Sequence, residues 1–218
     1  MSAASEPSAP QPEWQNDTAG LSAEEIVEEV MAGFRRKPGG VSARFTPAQA
    51  GIIRSLVSQL AELITPPADE PGVSPGTPLT PELAELAAML GDPGPSHPPD
   101  DPVLARLLPD AYQDDPEAAG EFRRYTEQEL RDGKLAAART VLATLPAKGG
   151  RVRLSASDAE VWLRVLNDVR LGLGVRLGIT EDYERDLAGL GDEDPRLAYY
   201  QVYDWLTFLQ ETLVRALW

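Results

Sequence analysis

Residues 46–67 read TPAQAGIIRSLVSQLAELITPP and contain both ends of one helix together with its buried face. Thr46 and Gln49 form a capping box, and Pro47 at the first helical position gives up no backbone hydrogen bond. Apolar side chains recur every three or four residues, which is typical of one face of a helix. This stripe consists of Ile52, Ile53, Leu56, Val57, Leu60, Leu63 and Ile64. Because Pro66-Pro67 ends the pattern, the stretch predicts an amphipathic helix against a core.

Short strands are predicted on both sides of this helix. Residues 34–37 and 41–45 flank Pro38-Gly39-Gly40, where glycine supplies the positive φ angles of a hairpin turn. Residues 151–154 alternate polar and apolar side chains, which is typical of a third short strand beside the hairpin.

Further helices are predicted where Ser, Thr or Asp can cap a helix start, most often directly before proline. They cover residues 21–31, 80–90, 102–108, 116–145, 156–179 and 195–218. Gly172, Gly174 and Gly178 interrupt one of these patterns, and such costly glycines predict close approach of a neighbouring element. The fold class is therefore mainly α: a helical bundle with a small hairpin or three short strands.

Two segments differ from this pattern. Residues 1–20 are rich in Ser, Ala, Pro and Gln and predict a disordered acidic tail. Residues 66–102 hold 11 of the 20 prolines and predict a proline-rich surface excursion. Residues 21–218 are predicted to form one helical domain, and the proline-rich excursion is part of this domain.

The composition excludes several classes of function. With 20 basic and 35 acidic residues the formal charge is −15, which disfavours unaided binding to nucleic acid. No cysteine is present, so a disulfide, a thiol nucleophile and a cysteine redox switch are excluded. No apolar run reaches the length of a membrane helix, and no basic residue precedes Arg35, so a cytoplasmic protein is predicted.

No catalytic machinery is apparent in the sequence. The single histidine, His97, lies in a proline-rich PSHPP stretch that offers no rigid partner to orient its ring. No phosphate loop, nucleophile motif or set of metal ligands is present. The prediction is a protein that is not an enzyme and has no cofactor or metal site.

Two charged clusters are the strongest candidates for an interaction site or an ion-pair network. The first is EFRRY at residues 121–125, with Glu121, Arg123 and Arg124. The second consists of Asn167, Asp168, Arg170 and Arg176. Asp168 falls beside an apolar face and needs a cationic partner, for which Arg123 or Arg124 is the candidate. An interhelical ion-pair network is favoured, partner binding stays open, and catalysis is least favoured.

Two other regions each allow two interpretations. The first is the hairpin with the cations Arg35, Arg36, Lys37 and Arg44. These cations either bind phosphate or an acidic protein, or they protect the edge of a strand by their charge. The last predicted helix, with Asp204 and Trp205, is apolar on more than one side. It is either central to the bundle or presents a face to a partner, for which a second copy of the chain is one candidate.

These motifs together resemble an actinobacterial family, formerly a domain of unknown function, of AosR-type oxidative-stress transcriptional regulators. The resemblance covers most of residues 34–218, with residues 66–102 poorly matched. The matching residues are Phe34-Arg35-Arg36, Gly39-Gly40, residues 115–117 and 121–127, Leu130-Arg131, Lys134, Trp162-Leu163, residues 167–171 and 176–179, residues 203–206, and Leu209-Gln210.

The resemblance implies action with an alternative sigma factor on stress and cysteine-biosynthesis genes, and it brings no catalytic or cofactor residues. Since the chain lacks cysteine, any oxidative sensing would use Met31, Met89 or a partner. We therefore expect a transcription-associated regulator of stress or sulfur metabolism genes that contacts a sigma factor or RNA polymerase, with DNA contacted only indirectly or weakly. The alternative is a non-enzymatic adaptor or scaffold in proteolysis or sulfur metabolism.

Overall fold

The computed structural model of the chain describes residues 33–66, 94–180, 183, 187, 189–190, 194 and 196–218. Their elements are β1 (Arg35–Lys37), β2 (Gly40–Phe45), α1 (Pro47–Ile64), α2 (Pro102–Leu107), α3 (Pro116–Thr144), β3 (Gly150–Leu154), α4 (Ala156–Leu177) and α5 (Arg196–Leu217). The predicted mainly α class with three short strands is confirmed. The predicted tail at residues 1–20, the predicted helices at 21–31 and 80–90, and Met31 and Met89 lie outside the described residues.

The three strands form one antiparallel sheet in the order β1-β2-β3. Gly39 and Gly40 have φ angles of 85° and 146°, so the hairpin turn uses the backbone freedom that the sequence predicted. Side chains alternate across the sheet, and one face is buried. The buried face consists of Val41, Ala43, Phe45, Val152 and Leu154.

The predicted starts of α1, α2, α3 and α4 are confirmed in detail. Thr46 Oγ1 accepts a hydrogen bond from the Gln49 backbone N–H, and Gln49 Oε1 accepts one from the Thr46 N–H. Asp101, Asp115 and Ser155 cap α2, α3 and α4. On α1, Ile53, Val57, Leu60 and Ile64 are buried. Ile52 lies at the margin of the wide apolar stripe and remains exposed.

Trp162 on α4 joins the sheet to the helices. Its ring stacks on Phe45 at a centroid distance of 6.0 Å and meets Phe34 edge-on at 5.7 Å. Its indole N–H donates to Thr144 Oγ1 on α3 at 2.8 Å, so the polar atom of this fully buried side chain is satisfied. The core therefore contains side chains from the sheet and from all five described helices.

Of the three glycines predicted to allow close approach, only Gly172 has a tight contact, while Gly174 is in ordinary van der Waals contact. A Cβ atom on Gly172 would lie 3.1 Å from the Val103 side chain of α2, and one on Gly174 would lie 3.4 Å from Tyr203 of α5. Gly178 ends the helix in the left-handed conformation with φ 65°. The helix therefore stops at Leu177, two residues earlier than predicted.

The last helix, α5, is central to the fold. Leu206, Leu209 and Leu213 are buried, and the helix packs against α4, β1 and β2. Tyr199 and Val214 remain exposed on its other side. The bundle interpretation therefore accounts for the buried face of α5, and the second copy of the chain stays a prediction.

Candidate functional site

A groove of about 650 Å³ lies between α3, α4 and the connection from α2 to α3. Three of the predicted site residues, Arg123, Asn167 and Asp168, line it. Its charged lining residues are Asp110, Arg123, Glu127, Glu129, Lys134, Arg164 and Asp168. The groove therefore brings part of the two predicted clusters to one surface.

A buried ion network forms one wall of the groove. Arg123, which is only 5% exposed, pairs with Glu127 one turn further along α3 at 2.5 Å and with Asp110 at 2.8 Å. It also donates to the Leu108 carbonyl at 2.9 Å. Glu127 accepts from Arg131, whose guanidinium donates to the Ile64 carbonyl at the end of α1. The network thus ties α1 and the α2–α3 connection to α3.

The charge on Arg123 is maintained despite its burial. Desolvation is the largest single effect and lowers the pKa of Arg123, while hydrogen bonds and charge from Asp110 and Glu127 raise it. The combined effect of the two carboxylates is larger, so the pKa of Arg123 is raised above its ordinary value. The guanidinium is therefore a permanent, neutralised structural charge.

Asp168 is paired, but the predicted partner was wrong. Lys134 Nζ donates to both carboxylate oxygens of Asp168 at 2.8 Å and so bridges α3 to α4. Arg123 is occupied by its own carboxylates, and the Arg124 side chain is exposed. Lys134 lies 11 residues after Arg123, which is about three helical turns and about 16 Å along the same face. The predicted face was therefore right, and the predicted level along the helix was wrong.

The sequence contains a signal for the correct partner. Because α3 and α4 are antiparallel neighbours, residues at similar distances from their connection lie opposite each other. Lys134 is 11 residues before Leu145, the C-cap of α3, and Asp168 is 13 residues after Ser155, the N-cap of α4. Counting outward from the connection would have identified the pair.

Apolar side chains lie beside this charged wall. Phe122 and Leu130 line the groove and are 47% and 44% exposed. The exposed Tyr112 meets the Phe122 ring edge-on at 6.1 Å, and the exposed Tyr125 lies further round α3. Exposed aromatic side chains around a concave surface are typical of protein contact sites.

The remaining α3 and α4 candidates do not converge on the groove. Glu121 is exposed, and the Arg124 carbonyl accepts from the Gly94 N–H, which anchors that part of the excursion on α3. Arg170 lies over the Tyr203 ring at 5.9 Å, and Arg176 is exposed in the last turn of α4. A positive charge at the C-terminal end of a helix interacts favourably with the helix dipole.

Candidates on α5 make structural contacts. Asn167 of the groove accepts a hydrogen bond from Gln210 at 3.3 Å. Asp204 accepts one from the Tyr183 hydroxyl at 2.6 Å. Trp205 meets Phe45 edge-on at 6.4 Å, which joins α5 to the sheet.

The hairpin cations divide between the two faces of the sheet. Arg36 donates to the Ala216 and Leu217 carbonyls at 2.9 and 2.6 Å, where the end of α5 leaves carbonyls without helical partners. Arg35 lies on the opposite face, opposite Ser42 of β2. Arg151 and Arg153 of β3 share that face, and sequence reasoning did not include them as candidates.

The described residues contain no group of three or more His, Asp or Glu side chains arranged to hold a metal ion. His97 is exposed, and its Nδ1 lies 3.1 Å from Ser96 Oγ. None of the helices in the described part of the chain is long and apolar enough to cross a membrane.

The fold and the groove define a helical protein with a small accessory sheet and a groove in which paired charges and exposed apolar side chains lie next to each other. The chain belongs to the family described as Domain of unknown function (DUF2017), whose model matches residues 31–217. Curated relatives in Mycobacterium tuberculosis strain H37Rv and in Mycobacterium bovis are each named "Oxidative stress regulator AosR". Each is 36% identical over 184 residues, which covers 78% of this chain and 79% of the relative. No solved structure matches the chain.

Proposed function

We propose that this protein regulates transcription of stress or sulfur metabolism genes in the cytoplasm by contacting a protein of the transcription machinery, a sigma factor or RNA polymerase. The names of the mycobacterial relatives support the regulatory role. Because this chain contains no cysteine, the proposed role does not use a thiol switch within the chain itself.

The observation that carries the contact mechanism is the groove with Phe122 and Leu130 at its surface. Asp110, Glu127 and Asp168 are already paired with cations of the same chain. A partner that covers the groove therefore does not have to neutralise these acids, and it gains by burying apolar area. The net charge of −15 disfavours DNA as the main partner.

The test is affinity capture of sigma factors and RNA polymerase with the full chain and with the double variant Phe122→Ser/Leu130→Ser. We expect the double variant to retain at least about tenfold less partner, because exposed apolar anchors dominate such contacts. Ile52→Ser is the matched control, since Ile52 is an exposed apolar side chain on α1 outside the groove. This control should retain the partner.

Two results would contradict the proposal. One is that no transcription protein is captured while the purified chain binds a promoter alone with a steep salt dependence, which indicates direct phosphate contacts. The other is an unchanged transcriptome on deletion together with a stable complex that lacks polymerase. That second result would assign the groove to the adaptor alternative.

A further inference from the structure

The α3 side of the groove carries a long uncharged stripe. It runs from Ala119 to Ala137, which is about 27 Å or about five turns of helix. Uncharged groove-lining side chains recur along it at intervals of three or four residues, the spacing at which one helix packs along another. The residues of this stripe are Ala119, Phe122, Thr126, Leu130, Gly133 and Ala137. The stripe therefore has the length and the periodicity of a seat for a second helix.

Gly133 is exposed within this stripe, and packing inside the described chain does not explain it. Glycine destabilises a helix interior relative to alanine. Gly120 on the same helix is required, because a Cβ atom there would lie 2.6 Å from the Ser96 carbonyl oxygen. A Cβ atom on Gly133 would meet no described atom within 4 Å. The surface at Gly133 is thus open to close approach by the backbone of another molecule.

The two sides of the groove carry exposed charges of opposite sign. Helical geometry places Glu129 about 140° round α3 from Lys134, on the side away from α4. Arg164 lies on α4, one turn before Asp168. Glu129 and Arg164 are exposed, and within the described part of the chain neither makes a hydrogen bond or an ion pair. A ligand that covers the groove therefore meets an acid on one side and a base on the other.

We propose that the groove binds one amphipathic helix of a partner protein. Its apolar face would lie on the stripe, a cation on one flank would face Glu129, and an acid on the other flank would face Arg164. An extended segment is disfavoured because α3 and α4 pair their own backbone groups and offer no sheet edge for strand addition. This inference rests on the proposed contact role of the groove and adds the form of the partner that the groove accepts.

The charge pattern is tested with three synthetic helical peptides of about 18 residues that share one leucine stripe at this spacing. The mixed peptide has lysine on one flank and glutamate on the other, and the two uniform peptides have lysine or glutamate on both flanks. Fluorescence anisotropy with the full chain measures Kd at about 0.15 M salt and at concentrations where each peptide is monomeric. We expect the mixed peptide to bind about threefold more tightly than either uniform peptide, because exposed charge pairs contribute modestly.

Reversal of each charge should transfer the preference. Glu129→Lys should favour the glutamate peptide, and Arg164→Glu should favour the lysine peptide. The matched controls Glu62→Lys and Arg139→Glu reverse exposed charges outside the groove and should leave the order of the three Kd values unchanged. These controls correct for the net charge of the chain, which acts on every peptide.

Gly133→Leu tests whether a helix packs closely on the stripe. The new side chain meets nothing in the described chain, so the fold should be kept, while it fills the space that a docked helix needs. We expect the Kd of the mixed peptide to rise at least about tenfold. Gly51→Leu is the matched control, because Gly51 is an exposed glycine of α1 with equally open surroundings outside the groove. Thermal unfolding establishes that each variant is folded.

Three results would overturn the proposal. The first is no saturable binding of the mixed peptide, and the second is binding that Gly133→Leu leaves unchanged. Capture of a transcription protein that is lost in Phe122→Ser/Leu130→Ser and kept in Gly133→Leu would then retain the proposed function without a docked helix. The third is sedimentation of the chain alone as a dimer that Gly133→Leu dissociates, which would assign the groove to a second copy of the chain.

Discussion

Arginine occurs in two regions of this molecule under opposite conditions. In the wall of the groove, Arg123 is buried and donates to Glu127, Asp110 and a backbone carbonyl. On the outer face of the three-stranded sheet, Arg153 is exposed and lies on the same face as Arg151 and Arg44. The two residues look equivalent in a sequence, since each belongs to a cluster of arginines. Burial and the charge of the neighbouring side chains distinguish the first, which is held in a network inside the fold, from the second, which lies exposed on the surface.

The same substitution in both regions is the most direct test of this difference between the two arginines. Arg123→Ala should destabilise by about 3–5 kcal/mol, because the buried Glu127 would keep only Arg131 as its cation and the Leu108 carbonyl would lose its buried donor. This corresponds to a decrease of roughly 10 °C in the unfolding temperature of a chain of this size. Arg153→Ala should change stability by no more than about 0.5 kcal/mol, as is usual for an exposed side chain. Chemical and thermal unfolding of both variants measures the difference.

Arg124→Ala is the control within α3, because Arg124 is the exposed neighbour of Arg123. It should behave like Arg153→Ala. Equal losses for Arg123→Ala and Arg124→Ala would mean that the network contributes nothing beyond ordinary helix propensity. The buried Arg123 and an exposed arginine would then contribute equally to the stability of the fold.

Most of the secondary structure followed from local chemistry. The capping box at Thr46, the aspartate–proline helix starts and the glycines of the hairpin act within a few residues, so the sequence pattern was sufficient. Gly172 and Gly174 also predicted close approach of another element, although the identity of that element was not contained in the pattern.

The site was harder to predict because its contacts depend on which turn of one helix faces which turn of another. Lys134 belongs to the residues that carry the family resemblance, but the sequence pattern alone favours Arg123 or Arg124, about three turns away, as the partner of Asp168. Arg36 was predicted as an interaction residue, and its role at the end of α5 joins positions 180 residues apart. No periodicity within one element contains that information.

The Lys134–Asp168 pair is intermediate in burial between the buried Arg123 and the exposed Arg153. Removal of one partner from a fully buried ion pair costs about 3–5 kcal/mol. The side chains of Lys134 and Asp168 are 17% and 13% exposed, so water can solvate the ammonium that remains. For Asp168→Ala we expect a loss of about 1.5–3 kcal/mol, measured by chemical unfolding.

The double variant Lys134→Ala/Asp168→Ala completes a thermodynamic cycle for this pair. If the lysine that remains after Asp168→Ala is poorly solvated, removing it as well should recover part of the loss. An unfolding free energy unchanged by Asp168→Ala would show that the bridge between α3 and α4 does not stabilise the fold.

The smallest expected effect concerns an exposed pair at the start of α5. Asp194 accepts from the Arg196 guanidinium at 2.8 Å and from the Arg196 backbone N–H at 2.9 Å, and these hydrogen bonds lower the pKa of Asp194 to about 2. A lowered carboxyl pKa favours the folded state above the ordinary pKa, and this contribution is lost as the pH falls from about 4 to about 2. Carboxyl ¹³C NMR of Asp194 should show a midpoint near 2, and Arg196→Ala should raise it only partly, because the backbone N–H still donates. A midpoint at the ordinary value in the parent chain would mean that solvent screens this exposed pair completely, and burial alone would then separate effective from ineffective ion pairs in this molecule.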